Sequence, residues 1–401
     1  MNKQEIIDAE KKYIVHTYGR TDFVLDHGEG VYLYDTDGNK YIDCLAGIAV
    51  NALGYGNKAV VDALAAQAMK LIHVSNLYHT EPHVKLAKML VEHSFAKKIF
   101  FCNSGTEAIE ACLKFSRAKA KQIAPDNPDK YEIVAFNGSF HGRTMGALSV
   151  TSREKYRLPF LPLLPGVNFV DFKDVEAVKS AVTKNTCAVI VEPLQGEGGV
   201  NVGTAEFLKT LHDLSNENNA SLIFDEVQCG LGRTGKLFAY EHFGVAPDLM
   251  ALAKPLGGGF PMGAACVTDE IADTLHPGDH ASTFGANPAI CAAGIVALQQ
   301  ILAPGFLENV TEVGHFLRTQ IKKAATRLPV IKDVRGLGQL TGVELTIKAQ
   351  DIVNAGFKRG LILGVAGDFV LRLAPPLIMK KDQAKVVIEN LLPVMEGLSK
   401  K

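Results

Sequence analysis

Short runs of consecutive apolar residues, separated by polar loops and helix-patterned stretches, dominate the middle of the chain. They predict strands over residues 98–102, 132–136, 167–172, 187–191, 222–224, 249–253 and 263–268. Between them the spacing predicts a helix over 106–120 and an amphipathic one over 204–219, with Phe207, Leu208, Leu211 and Leu214 on one face. Strands that are apolar throughout have both faces covered, so the alternation implies an α/β fold around a mostly parallel sheet of seven strands. From Pro304 the pattern changes. A helix over 310–325, strands near Val334 and over 340–344, 361–363 and 369–373, and a last helix from Lys381 make a smaller α/β unit. Near the start, residues 30–43 alternate apolar and polar positions around Asp37-Gly38, a hairpin signal.

Two apolar runs end on opposite charges. Leu222–Phe224 stops on Asp225-Glu226, and Leu249–Ala253 stops on Lys254, ahead of Pro255 and a glycine loop. Charged side chains are rarely buried without a partner. Either these are solvated strand ends, or a ligand sits between them.

Composition narrows the choice. The 401 residues carry 42 basic and 43 acidic side chains, without a long run of one sign, which argues against nucleic acid or an anionic membrane as main partner. The polar start, Met1–Lys12, does not read as a signal peptide, and no apolar stretch approaches the ~18–20 residues of a membrane span. The seven cysteines are scattered without a C-x-x-C pair, as expected of a reduced, cytoplasmic chain with core thiols.

In open α/β sheets ligands gather at the carboxyl ends of the strands, which directs attention to the loops there. "NSGTEA" (103–108) passes from strand to helix. Free N–H groups at a helix start attract anions, and Ser104, Gly105 and Thr106 suit a phosphate, although a plain N-cap reads the same way. "NGSFHGRT" (137–144) sets an aromatic, a histidine and an arginine on a glycine-flanked loop, where Arg143 suits a carboxylate or is simply solvated. "EPLQGEGG" (192–199) carries two glutamates, fit for acid–base work or for a polar turn. Two lookalikes fail. "GLGRTGKL" (230–237) has P-loop spacing but Leu237 in place of the magnesium-binding hydroxyl. "HTEPH" (79–83) spaces two histidines as a metal-binding helix does, but Pro82 breaks that helix or confines it to a first turn, so no metal is expected.

Taken together the loops suit one ligand. Asp225 and Lys254 are placed to grip one heteroaromatic ring, the carboxylate keeping a pyridine nitrogen protonated and the amine bonding to an aldehyde on the ring. The helix start at Gly105-Thr106 takes the ring's phosphate. Those are the requirements of pyridoxal 5'-phosphate.

Ten segments, in order, carry a resemblance: "GIAVNALGYGN", "VSNLYHTEP", "FFCNSGTEA", "SFHGRT", "EPLQGEGG", "IFDEVQCGLGRTG", "AKPLGGGFPMGA", "STFGANP", "VRGLGQLTGVEL" and "LRLAPPL". In these the chain resembles the class III, fold-type I pyridoxal-phosphate aminotransferases along nearly its whole length. The resemblance implies a large cofactor-binding domain over 46–303 and a small domain from both chain ends, 1–45 and 304–401. It implies Gly105 and Thr106, with Ser104, at the cofactor phosphate, Phe140 and Val227 on the two ring faces, Asp225 at the ring nitrogen, Gln228 near the ring hydroxyl and Lys254 as the covalent anchor and proton carrier. On the same resemblance Thr283 would reach the neighbouring subunit's phosphate, which implies a homodimer with shared sites. The resemblance likewise implies that Ser282 and Arg143 would contact substrate, that Arg372 would take the carboxylate of glutamate, and that Glu197 would mask Arg372 when the basic substrate is bound.

The expected reaction carries the terminal amine of an N-acetylated ornithine to 2-oxoglutarate. Transfer from ornithine, a succinylated amine or 4-aminobutyrate, an aminomutase, and a non-catalytic binding protein are the rival readings. The family's pattern is broken at three places. Ile109 stands for an asparagine, with an effect expected from behind the site. Tyr55-Gly56-Asn57 replaces a histidine-rich turn. Pro255 follows Lys254 where glycine is common, and it is expected to hold Lys254 extended, as a strand end would.

Overall fold

The computed structural model describes residues 1–399. Its central sheet has seven strands: β1 (Lys98–Cys102), β2 (Glu132–Phe136), β3 (Val167–Val170), β4 (Thr186–Val191), β5 (Ser221–Asp225), β6 (Leu249–Leu252) and β7 (Gly263–Val267). The order across the sheet is β1-β7-β6-β5-β4-β2-β3. Only β7 runs against its neighbours; the other pairings are parallel. Burial explains why these strands read as unbroken apolar runs. Ile133 and Ala135, Ala188 and Ile190, and Ile223 pack into one cluster. Their neighbours Val134 and Phe136, Val189 and Val191, and Leu222 and Phe224 pack into another. Alternate side chains thus feed apolar cores on opposite faces, and no face is left for polar positions.

Helix Gly105–Ile123 buries Ala108, Ile109, Ala111, Cys112 and Phe115. Helix Ala205–Glu217 buries Phe207, Leu208 and Leu211, while Leu214 is half-buried. Helix Pro288–Ile301, which the pattern did not announce, packs with Leu86, Leu90 and Met262 in a third core.

The chain ends meet. Strands Leu25–Glu29, Tyr32–Asp35 and Lys40–Asp43 form an antiparallel meander, and Leu361–Ile362 joins its edge in parallel with Lys40–Asp43. Val31, Ile42 and Cys44 share one core with Val313, Leu317, Val343, Leu371 and Met395. Beside it an antiparallel sheet, in the order Ile331–Leu337, Leu340–Leu345, Val370–Leu373 and Gly364–Val365, holds Arg372 opposite Gly342 and Gly364. The expected hairpin around Asp37-Gly38 is present, with Tyr32 opposite Ile42 and Tyr34 opposite Lys40. No single helix among the described residues is long and apolar enough to cross a membrane.

Candidate active site

β1, β2, β4, β5 and β6 all point their carboxyl ends to the same edge of the sheet. The loops leaving them enclose a cavity of about 460 Å³. Ser104, Gly105, Thr106, Phe140, Arg143, Glu197, Asp225, Val227, Gln228 and Lys254 all line it. The parallel register sets Asp225 opposite Ala251, so Lys254 follows at the same edge.

Asp225 is buried, with one carboxylate oxygen accepting from the Val227 N–H at 3.0 Å and the other 2.7 Å from His141 Nδ1. His141 is fully buried, and its Nε2 has no partner among the described residues. Sequence reading saw this histidine only as part of a loop. Its signal was position, one residue after Phe140 in a loop leaving the strand beyond β5's neighbour. Glu226, next to Asp225, has a different task. Its two oxygens accept from the N–H groups of Ala239 (2.6 Å) and Tyr240 (2.8 Å), and burial pushes its carboxyl up to about 8. Glu192 is buried too, accepting from Phe140 N at 3.2 Å and Gly196 N at 3.1 Å, and burial raises its carboxyl above the usual range. It braces the loop that carries Phe140 against the loop that carries Glu197.

Lys254 corrects the expectation about Pro255. Its φ is +46°, in the left-handed region, and it opens a short 3₁₀ turn, Lys254–Gly257, instead of extending β6. A non-glycine residue there costs about 1–2 kcal/mol, strain that collects at functional sites where surrounding packing enforces it. The amine donates no hydrogen bond to the described protein. Burial, with Arg372 nearby, lowers its pKa to about 8.

Arg372 is 3% exposed and pairs through Nη1 with Glu197 and with Gln228 Oε1, the latter at 3.1 Å. Burial raises the Glu197 carboxyl, but the Arg372 guanidinium outweighs it and holds the pKa below the usual carboxylate value. Gln228 therefore spends its oxygen on Arg372. Arg143 is exposed at the cavity rim, its guanidinium 3.6 Å over the Tyr156 ring, and it has no ion pair among the described residues. Arg372, Ser282 and Thr283 lie outside the lining, Arg372 directly behind Glu197 and Gln228. Ser282 Oγ accepts from Asn103 at 3.2 Å, beside the helix start, whereas Thr283 is exposed.

The failed P-loop has a structural role. Arg233 is fully buried and donates to the carbonyls of Gln339 (3.2 Å) and Pro375 (2.5 Å), tying the loop after β5 to the segment after Arg372. Pro82 falls in the first turn of helix Glu81–Glu92, with His79 ahead of it. Among the described residues no group of three or more His, Cys, Asp or Glu could hold a metal ion. Ile109 is buried inside its helix, and Tyr55 donates to Asp43 at 2.5 Å.

Comparison with known families matches residues 13–395 to the one described as aminotransferase class-III. The chain belongs to that family. The aminotransferase is 44% identical to an acetylornithine aminotransferase of Methanocaldococcus jannaschii over 100% of both chains. It is 48% identical to one of Clostridium acetobutylicum over 92% of this chain and 95% of that one. Among solved structures, an ornithine aminotransferase of Toxoplasma gondii superposes with a TM-score of 0.96 at 30% identity, covering 100% of this chain and 96% of the other. An acetylornithine aminotransferase of Elizabethkingia anophelis gives 0.88 at 29% identity, over 99% and 100%.

The family's cofactor is pyridoxal phosphate, and the residues present fit it. The first N–H groups of helix Gly105–Ile123, unpaired within any helix, open onto the cavity. A Cβ on Gly105 would lie 2.7 Å from Val227 Cγ1, so only glycine lets that wall close in. Buried Asp225 and the unbonded Lys254 amine supply the charge pattern that the ring and its aldehyde require.

Proposed function

We propose that this aminotransferase moves the terminal amine of N2-acetyl-L-ornithine to 2-oxoglutarate. The products are N-acetylglutamate 5-semialdehyde and glutamate, released in turn by a ping-pong mechanism. One observation carries the reading: one arginine, Arg143, stands at the cavity rim, and a second, Arg372, lies behind the lining residues Glu197 and Gln228 and is already capped by Glu197. An N-acylated diamine acid brings one carboxylate, remote from the reacting amine. Glutamate brings a second, beside the reacting carbon. Arg143, without an ion pair among the described residues, takes the shared carboxylate, and Arg372 takes the second once Glu197 swings aside. The names of the relatives at 44% and 48% identity support the same donor.

Gly105 and Thr106 would hold the cofactor phosphate, Phe140 and Val227 would cover the ring faces, Asp225 would keep the ring nitrogen protonated, and Lys254 would anchor the aldehyde carbon. When bound, pyridoxal phosphate supplies an electron sink for the pair left behind as the substrate Cδ–H proton departs. Lys254 Nζ would take that proton. A pKa near 8 keeps a useful fraction of the amine neutral at neutral pH, as a base needs. His141, bonded to Asp225, fixes the orientation of that carboxylate. Glu197 neutralises Arg372 while the alkyl chain of the donor lies beside it.

The second subunit enters through Thr283. Around it Leu77 (84%), Tyr78 (68%) and Phe284 (61%) are exposed, linked by Asn76, which donates to the carbonyls of Ser282 and Gly285. Exposed apolar side chains on two segments tied together beside Ser282 support a homodimer with shared active sites. The shared core of Val31 and Ile42 with residues beyond 304 supports a small domain of 1–45 and 304–401 against a large one of 46–303. Seven free, buried cysteines suit the cytoplasm.

Free ornithine is the second reading, favoured by the 0.96 superposition on an ornithine aminotransferase. The test is a panel of amine donors with 2-oxoglutarate. Acetylornithine should give the highest kcat/KM, with one glutamate formed for each semialdehyde. Preference for ornithine would replace the donor, and amine movement without consumption of 2-oxoglutarate would mean a mutase.

A further inference from the structure

The loop that carries Glu197 is pinned along its backbone by side chains from separate parts of the fold. Glu192 accepts from Gly196 N at 3.1 Å, Asn201 Nδ2 donates to Gly198 O at 3.1 Å, and Arg335 Nε donates to Gly199 O at 3.0 Å. At Glu197 itself the pin is Arg153, whose Nη2 donates to the Glu197 carbonyl at 2.6 Å. The other arm of Arg153, Nη1, donates to Tyr156 OH at 3.3 Å. The Tyr156 ring in turn lies 3.6 Å beneath the Arg143 guanidinium and packs edge-on against Phe140, with ring centroids 6.2 Å apart. One short segment, 153–156, therefore touches the backbone under Glu197, the guanidinium of Arg143 and the ring of Phe140.

We infer that Arg153 and Tyr156 are positioning residues that form a strut between the two carboxylate receptors. Arg153 fixes the pivot, so Glu197 leaves Arg372 by side-chain rotation alone while the loop stays in place. Tyr156 presents Arg143 by stacking beneath it, which holds a flat guanidinium without using its donors; they stay free for a carboxylate. The strut thereby sets the spacing between the shared carboxylate and the switched one, and with it the discrimination between an acylated diamine acid and glutamate. This rests on the Glu197–Arg372 reading given above.

Two kinds of measurement separate the two claims. Hydrogen exchange of the segment 194–200, in the apoenzyme and in the holoenzyme, reads the pivot without activity. Arg153→Met should raise exchange there about tenfold, the loss of one charge-assisted hydrogen bond, and Arg153→Lys should restore part of the protection. In single-turnover kinetics Arg153→Met should shift the ratio of donor to glutamate half-reaction rates by about tenfold, because a mobile loop caps Arg372 poorly. Tyr156→Leu should raise KM for both substrates about five- to tenfold with kcat nearly kept, the loss of one partly exposed cation–π contact, and Tyr156→Phe should recover most of it. Unchanged exchange and an unchanged ratio in Arg153→Met would overturn the strut. Equal falls in kcat without a KM effect in Tyr156→Leu would do the same. Should the wild-type enzyme process no acylated diamine acid, the donor assignment fails, and the exchange experiment still decides the pivot.

Discussion

Glu197→Ala tests the electrostatic switch. The substitution removes the carboxylate from an arginine whose side chain is 4% exposed, while Glu197 itself is 24% exposed. Leaving a buried charge without its partner costs about 3–5 kcal/mol. Two features reduce that figure. Gln228 Oε1 remains 3.1 Å from the guanidinium, and the vacated space opens on the cavity, so water enters. Roughly 2–3 kcal/mol is left, and it falls on the state in which the alkyl chain of the donor excludes that water. At about 1.4 kcal/mol per factor of ten, the donor half-reaction should lose roughly 30- to 150-fold in kcat/KM. The glutamate half-reaction has the opposite interest, since its own carboxylate no longer competes with Glu197. Its rate should be spared and its KM should fall. Stopped-flow absorbance of each half-reaction, under single-turnover conditions, reads the two separately. Equal losses in both halves would show that Glu197 is structural and that no switch operates.

Arg372→Ala should invert this pattern, and Arg143→Ala should damage both halves. Asp225→Asn keeps the shape but removes the charge from the ring nitrogen and from His141; turnover should fall by about a hundredfold or more, while the separate phosphate grip keeps most of the cofactor bound, and activity within a few-fold of wild type would refute the role. In the apoenzyme the Lys254 pKa is depressed to about 8, so a burial penalty is present below that pH and relieved as pH rises from about 8 toward the unfolded value of 10.5. Denaturant titrations of Lys254→Met should lack that rise. At φ +46° Lys254→Gly should exceed Lys254→Ala in stability by about 1 kcal/mol. Dilution that separates the proposed dimer should release cofactor along with activity, as followed by sedimentation and absorbance; a fully active monomer would exclude the shared site.

The sheet was legible because burial on both faces writes a simple pattern: Thr186–Val191 and Leu249–Leu252 are buried throughout. The same cause hid helix Pro288–Ile301. "PAICAAGIVALQQI" is apolar all round, so it lacks the stripe that marks a helix with one wet face. Helix Lys3–Tyr13 buries nothing and left no apolar signal. Site residues were legible as loop positions, since the parallel strands send their carboxyl ends to one edge. The reading already gave Asp225, not the adjacent acid Glu226, to the ring nitrogen; what it lacked was the physical difference between them, which lies in their partners, His141 for Asp225 and the N–H groups of Ala239 and Tyr240 for Glu226. The left-handed backbone of Lys254 was equally out of reach, because Pro255 alone pointed the other way.

The central claim is that Lys254 holds the cofactor and lets it go once in each cycle. Borohydride reduction followed by peptide mapping tests it on the purified holoenzyme. Cofactor should be fixed to Lys254 and to no other lysine. One equivalent of acetylornithine, added without 2-oxoglutarate, should abolish the labelling, and 2-oxoglutarate should then restore it. Labelling at a different lysine, or labelling of Lys254 that the donor leaves unchanged, would contradict the account.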